Sequence, residues 1–336
     1  ATRNTESETA FVLNGKLGAY FYPTENITTY LELRGLYSEG QASSNDPDED
    51  DVRDLSFIEV RQAWIELEQI LGQHGLALKT GRQRLYEPRG LWWNRDLDAL
   101  KISKNSTLTN GFFGFGQNLG RYRFGNENDL DKDEEDRLRF FGELTHEYAK
   151  NQFVELRGMY EYDHSDTEDI GDFIKDDDRD EEDHKLLWAG FRLKGKTSAG
   201  FLSRIGYRAD MIGVAGSEET ISSTPVGGNN RVVTAKNDRD VLGWAFDGSF
   251  DFQFDTAFKP IFTIGYAYGS GDDGTGTNNA FRQTGLEGNT SMFPEERVSI
   301  ALRNYGEVLR PELSNIHIMT LGLSLPVLPG LSLAQS

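Results

Sequence analysis

Cysteine is absent from all 336 residues. The fold therefore carries no disulfide and no thiolate metal site. That absence fits a periplasmic or outer-membrane address, although many soluble proteins share it. Long apolar runs are missing too, and no stretch of about 18 residues is apolar enough for a transmembrane helix. Positive charge is scarce: 35 Lys and Arg stand against 55 Asp and Glu, a net charge of −20. Nucleic acid repels such a chain, which argues against DNA or RNA as a partner. No signal peptide is visible at the start, where Ala1 opens a polar segment, so any leader is expected to have been removed.

What is abundant is aromatic residues, 21 Phe and 13 Tyr, together with 36 Gly. Low hydropathy does not argue against a membrane when strands do the crossing, because only every second side chain meets lipid. Residues 241–254 show the pattern most clearly. Leu242, Trp244, Phe246, Phe250, Phe252 and Phe254 share one face, and Val241, Asp247, Ser249, Asp251 and Gln253 share the other. A period of two means a strand. A run of this length suits a tilted membrane strand better than the 5–6 residues usual in a soluble sandwich. The same alternation marks 11–21, 28–37, 138–147, 152–162 and 201–210. Segments 55–68, 74–85, 97–104, 111–124, 185–194, 258–268 and 315–325 read as further, less regular strands.

The connections alternate in length. Pro23–Asn26, Gln69–Gly75, Asn105–Thr109, Ala149–Asn151, Gly195–Ala199, Asp255–Ala257 and Pro326–Gly330 are short. Between them lie long polar connections at 38–54, 86–96, 125–137, 163–184, 211–238 and 269–314. Short turns on one side and long loops on the other define an up-and-down barrel; a Greek-key sandwich would not alternate so strictly. The expected fold is all-β, a transmembrane up-and-down antiparallel β-barrel, with residues 1–336 as a single outer-membrane barrel domain.

Acidic residues concentrate in the loops, as in DPDEDDVRD at 46–54 and NDLDKDEED at 128–136. These runs read as solvated loops, with Ca²⁺ or Mg²⁺ binding the alternative; none has EF-hand spacing. GSGDDGTG at 269–276 reads as a flexible loop. The strand faces are mixed: Lys16, Arg34, Arg61, Arg84, Arg157, Arg204 and Arg208 accompany Glu32, Glu143, Glu155, Asp247 and Asp251. The five histidines are scattered, with no HExxH or HxH spacing, and no compact catalytic constellation is visible. The chain is expected not to be an enzyme and to need no cofactor. From the residues alone a diffusion porin, a barrel hydrolase and a soluble carbohydrate-binding sandwich all stay open.

Specific strings narrow the choice. They are GRQRL at 81–85, GLWWNRDLDAL at 90–100, IGYAY at 264–268 followed by GSG, RQTGLEGN at 282–289 and YGEVLRPELSN at 305–315. In this order and spacing the chain resembles the bacterial alginate-export outer-membrane porins, from about residue 11 to its end. The resemblance implies an 18-stranded barrel in the outer membrane of a Gram-negative bacterium. Such a barrel carries an anionic polysaccharide, an alginate-like polyuronate, past an arginine-rich constriction with a gating loop on each side. Implied partners are that polymer, outer-membrane lipid and lipopolysaccharide, and periplasmic secretion-complex proteins.

Carried over by motif, the pore-lining basic positions fall on Lys16, Arg61 in VRQAW and Arg84 in GRQRL, with Arg303 and Arg310 flanking YGEVLRPELSN. The family has Arg where Lys16 stands, and Lys lacks the bidentate fork of Arg. It has an acid where Asn94 stands, with Asp96 close enough to substitute, and another where Gln62 follows Arg61. These departures bear on the substrate more than on the fold. The alternative function is a general or anion-selective diffusion porin for small solutes. For each single arginine the alternative role is a wall ladder, balancing acids across strands. About thirteen strands are readable, so the natural protein is expected to continue beyond both ends, since an open sheet edge in lipid is costly.

Overall fold

A computed structural model describes residues 11–39, 41–43, 51–53, 56–120, 122–124, 136–165, 167–175, 180–256, 258–293, 300–305, 311–328 and 331–335. The chain forms two compact units, residues 1–102, 115–137 and 284–308 in one and residues 103–114, 138–283 and 309–336 in the other. Among the described residues no helix is long and apolar enough to cross a membrane, which leaves crossing by strands untouched.

The first unit begins with β1 (Phe11–Thr24), β2 (Ile27–Glu39), a short pair β3 (Gln41–Ser43) and β4 (Asp51–Arg53), β5 (Ser56–Glu68) and β6 (Leu76–Tyr86). β7 (Asn94–Asn105) and β8 (Thr109–Gln117) contribute residues to both units. β9 (Arg123–Phe124) belongs to the first. The second contains β10 (Arg137–Ala149) from Leu138 on, β11 (Gln152–Asp163), β12 (Phe173–Lys175), β13 (Glu182–Ala199), β14 (Leu202–Gly227), β15 (Asn230–Phe254) and β16 (Ile261–Gly269). The short pair β17 (Thr290–Phe293) and β18 (Ile300–Arg303) returns to the first unit, and β19 (Ile316–Leu328) and β20 (Leu331–Gln335) complete the second.

Chain order is sheet order. β1, β2, β5, β6 and β7 neighbour one another in turn, as do β10, β11, β13, β14, β15, β16, β19 and β20. The ladders are antiparallel throughout, from β1–β2 and β2–β5 to β16–β19 and β19–β20. Each strand anticipated from alternation is present, and Pro23–Asn26, Gln69–Gly75, Asn105–Thr109 and Ala149–Asn151 hold turns between neighbouring strands. Gly195–Ala199 is instead part of β13, with Gly195 opposite Tyr207, and the turn falls at Gly200–Phe201.

Burial is inverted relative to a water-soluble protein. On β15, Leu242 is 62 % exposed and Phe250 52 %, whereas Ala245 and Asp247 on the opposite face are buried. On β11, Leu156 and Tyr160 are exposed while Glu155, Arg157 and Glu161 are buried. Charged residues are almost never fully buried unless paired. A continuous apolar exposed face over a paired, charged face is the pattern of strands whose outer solvent is lipid.

Three further segments differ from the sequence expectation. Residues 211–238 are not a loop: β14 and β15 continue as one hairpin, with Glu218 opposite Arg239 and Thr220 opposite Asn237. Alternating β-branched and small residues sustain the ladder. A two-residue turn then closes it, with Gly228 in the positive-φ conformation (φ 63°) that suits a hairpin. Strand 111–124 is shorter than expected. The chain leaves the sheet after Gln117 because Asp98 accepts the Leu119 N–H (3.1 Å) and Arg82 donates to the Gly120 carbonyl (3.2 Å); β9 then pairs with β5. Residues 269–276 are tied down rather than loose. Arg239 donates to Asp272 (2.8 Å) and to the Gly276 carbonyl (2.9 Å), and Asn278 bridges to Val241.

Candidate functional site

In the first unit the wall carries a network of guanidiniums around two carboxylates. β2 supplies Arg34, β5 supplies Glu59 and Arg61, β6 supplies Arg84, β7 supplies Asn94 and Asp96, and β9 supplies Arg123. Glu59 meets Arg34 (3.1 Å), Arg123 (3.2 Å) and Arg61 (3.5 Å). Asp96 meets Arg61 (2.6 Å) and Arg84 (3.4 Å). Arg84 also donates to the Asn94 side-chain oxygen (2.9 Å). The Phe57 ring lies against both Arg34 and Arg123, a cation–π arrangement. Arg34, Arg61 and Asp96 are buried, whereas the Arg84 side chain remains 25 % exposed.

Two local devices bring these groups together. The β2–β5 register slips between Glu32 and Leu33, leaving Arg61 as an extra residue in β5. A bulge of this kind re-aims side chains. The second device is the 87–93 turn. The buried Glu87 carboxylate accepts backbone N–H bonds from Arg89 (3.0 Å), Leu91 and Trp92 (3.3 Å), which closes the turn and buries Leu91, Trp92 and Trp93. The TGLEGN string at 284–289 then locks onto it. Gly288 and Asn289 both donate to the Gly90 carbonyl (2.9 Å each), Thr284 donates to the Trp92 carbonyl, and Asn94 donates to the Leu286 carbonyl (2.6 Å). Asn304 extends the lock, accepting from the Arg89 side chain (3.0 Å) and donating to its carbonyl (2.6 Å). The Asn94 backbone is thus held by the TGLEGN string while its side chain holds Arg84 of GRQRL.

Of the residues anticipated from sequence, Arg61, Arg84, Asn94 and Asp96 form one cluster. Lys16 stands directly across from Arg34 in the β1–β2 ladder, so it shares that residue's face. Arg84 shares a face with Arg82, opposite Gln83 and Leu85. Arg303 ends β18, opposite Thr290; its side chain, and all of Arg310, lie outside the described residues.

In the second unit the buried face is a ladder of matched charges. Arg157 contacts Glu143 (2.7 Å) and Glu155 (2.5 Å); Glu155 also meets Lys194 (2.5 Å) and Arg192 (3.5 Å). Arg192 pairs with Asp210, Arg208 pairs with Asp247 and Asp210, and Arg139 pairs with Glu161. Beyond the ladder, buried His184 sits between Glu161 and Glu182. Arg282 bridges Glu182 and Glu218, and its carbonyl accepts the Trp188 indole N–H (2.7 Å). These contacts fasten residues 278–283 over the buried face of β13–β15. Sequence reading missed Arg192 and His184 as members of the ladder and its latch. The parity of 182–194 would have found both, because His184, Arg192 and Lys194 fall on one side.

Outside the strands, the Arg239 guanidinium holds the Asp272 carboxyl below its ordinary value of 3.8. The Thr275 hydroxyl and N–H do the same for Asp273. Among the described residues no group of three or more His, Asp or Glu is arranged to hold a metal ion; the 46–50 and 128–135 acidic runs lie outside those residues.

An up-and-down antiparallel sheet with a lipid-type outer face and an ion-paired inner face is the wall of a transmembrane β-barrel of the outer-membrane class. Residues 25–335 match the family described as Alginate export, and the chain belongs to that family. It is 29 % identical over 317 residues to alginate production protein AlgE of Pseudomonas aeruginosa, covering 93 % of this chain and 62 % of that protein. Against AlgE of Pseudomonas syringae pv. tomato it is 25 % identical over 302 residues, covering 89 % and 58 %. The chain therefore spans less than two thirds of the length of these relatives. Among solved structures it is similar to OccK8 (OprE) of Pseudomonas aeruginosa, with 12 % identity and a TM-score of 0.49 over 97 % of this chain and 80 % of that one.

Proposed function

We propose that this chain forms the wall of an outer-membrane porin that conducts an anionic polysaccharide, an alginate-like polyuronate, past the Arg61–Arg84–Asp96 cluster. The observation that carries this reading is the state of Arg84. It is partly exposed and fixed on two sides by Asn94 and Asp96, which brings the GRQRL and GLWWNRDLDAL strings together at one guanidinium. A fixed guanidinium fork suits carboxylates. One uronate carboxylate about 4 Å away gains roughly 4 kcal/mol at an effective dielectric near 20, before desolvation. Asp96 and Asn94 share the fork with the passing anion and keep the contact weak enough to release, as conduction requires. In family relatives named for alginate production the polymer is alginate; for this chain the polymer class is inferred from that naming and from the cluster's charge.

Planar-bilayer recording tests it. Anion preference, with block by short mannuronate oligomers that weakens in Arg84→Gln, is the expected result. Strong cation preference, or no block in the wild type, overturns it. Passage of small neutral sugars without oligomer block would identify a general diffusion porin instead.

A further inference from the structure

The polar face of the first unit carries aromatic rings where an outer-membrane girdle does not place them. Tyr20 and Tyr22 on β1, Tyr30 on β2 and Trp64 on β5 form a continuous run. Centroids are 6.2 Å apart for Tyr20–Tyr22 with the rings near parallel, 4.4 Å for Tyr20–Tyr30 and 5.5 Å for Tyr30–Trp64. Lys79 of β6 ends the run, its ammonium 3.6 Å from the Trp64 ring centre and 2.9 Å from Glu66.

Register fixes the side on which these rings lie. Tyr20 faces Tyr30, Tyr30 faces Trp64, and Lys16 faces Arg34 in the same two-residue phase along β1 and β2. The rings therefore share the face of Lys16, Arg34 and Glu59. Leu17, Phe21, Leu31 and Ile65, all exposed, occupy the other face. Girdle aromatics anchor to lipid and belong on that apolar face. These do not.

Two of the rings are presented, and Trp64, capped by Lys79, is buried behind them. Tyr20 is 58 % exposed and Tyr22 65 %. Tyr30 lies across Gly18, where any Cβ would come within 2.3 Å of its hydroxyl, and it donates to Glu32 (2.8 Å). Gly18 thus gives Tyr30 the space to lie over the strand, which is a use of glycine for close approach. Tyr20 stands four residues from Lys16, or roughly 13 Å along the strand at about 3.3 Å per residue, on the side of the short 24–27 turn.

We propose that Tyr22 and Tyr20, backed by Tyr30 and the buried Trp64, form a stacking rail for pyranose rings at the short-turn mouth, ahead of the cationic cluster. An aromatic face is broad, apolar and electron-rich, and it matches the C–H face of a sugar ring. The sugar's hydroxyls fall toward Glu32, Glu66 and Lys79. Such a contact ignores charge, so it orients the polymer without trapping it before its carboxylates reach arginine. In an up-and-down barrel the short turns face the periplasm, which is the side where an exported chain enters. The assignment of the polymer as a uronate rests on the function proposed above; the rail itself requires only a pyranose.

The test is block by mannuronate oligomers added to the short-turn side in planar bilayers. Tyr20→Ala/Tyr22→Ala should shorten block lifetimes about tenfold relative to the wild type, while Tyr20→Phe/Tyr22→Phe retains them. An unchanged lifetime in the alanine pair overturns the rail. A second measurement needs no variant of the tyrosines: Trp64 emission, isolated by subtracting a Trp64→Phe spectrum, should shift on titration with a neutral malto-oligosaccharide. Absence of that shift overturns the rail as well. If mannuronate oligomers fail to block the wild type from either side while the emission shift is present, the polyuronate reading falls and the rail stands.

Discussion

A Cβ placed on Gly288 would come within 2.5 Å of the Asn94 side-chain nitrogen. Gly288 is therefore part of the cradle that holds Asn94, and through it Arg84. Gly288→Ala should displace Asn94, cost about 1–3 kcal/mol in stability as overpacking does, and weaken anion preference. Denaturant midpoints and reversal potentials measure the two effects; an alanine variant with both unchanged would detach this string from the site.

Arg84 and Arg157 should separate under substitution. Arg157 is a buried ladder member between Glu143 and Glu155. Arg157→Met strands buried carboxylates and should cost about 3–5 kcal/mol. Arg84 is partly solvated, so Arg84→Gln should cost no more than about 1 kcal/mol while reducing oligomer block. The reverse ranking would mean that Arg84 is a wall residue.

Glu87 satisfies three backbone donors of the 87–93 turn. Glu87→Ala leaves them orphaned, at about 1–3 kcal/mol for each buried group, although water entering the gap will offset part of this. The accompanying signal is a red shift in tryptophan emission as Trp92 and Trp93 become wet. Glu87→Gln keeps an acceptor oxygen and should lie between the two.

Asp272 gives the 270–283 loop a pH dependence. Its folded pKa lies below the unfolded value of 3.8 because Arg239 stabilises the carboxylate. The contribution is therefore fully present above about pH 4 and is lost as pH falls through the folded value. Amide exchange across 272–279, corrected for intrinsic rate, should rise below pH 4 and not between pH 5 and 8. Asp272→Asn should reproduce the loosened loop at neutral pH.

On the lipid side, Phe250 is exposed, whereas its neighbours of the other parity, Ser249 and Asp251, are half-buried. Phe250→Arg should oppose membrane insertion by about 2–4 kcal/mol near the midplane. Folding yield into vesicles, read from the heat-modifiable gel shift, checks it; full yield would argue against lipid on that face.

The strands and their faces were legible in sequence because a period of two is a local signal. Leu242 and Asp247 announce their sides without reference to any other strand. The site was legible only in part. Arg61, Arg84, Asn94 and Asp96 could be named from motif strings, but the bulge that brings Arg61 to Asp96 depends on the partner strand's register. The lock of Gly288 and Asn289 on Gly90 spans nearly two hundred residues of chain and leaves no local trace. Residues 211–238 misled for a different reason. Their polarity resembles that of a loop, and only cross-strand pairs such as Glu218 with Arg239 disclose a ladder.

That ladder has a mechanical consequence. β14 runs for 26 residues, yet about 11 suffice to traverse a bilayer. Roughly fifteen remain, a ribbon on the order of 50 Å long at about 3.3 Å per residue. A free two-stranded ribbon is marginal in water, and this one is stayed like a mast. β12 runs alongside its tip from Phe173 to Lys175, and Ile174 wedges against Ile221 and Val233. The rigging sets the height at which the Gly228–Asn229 turn is flown, so slackening it at Ile174 would lower the masthead without touching the hull.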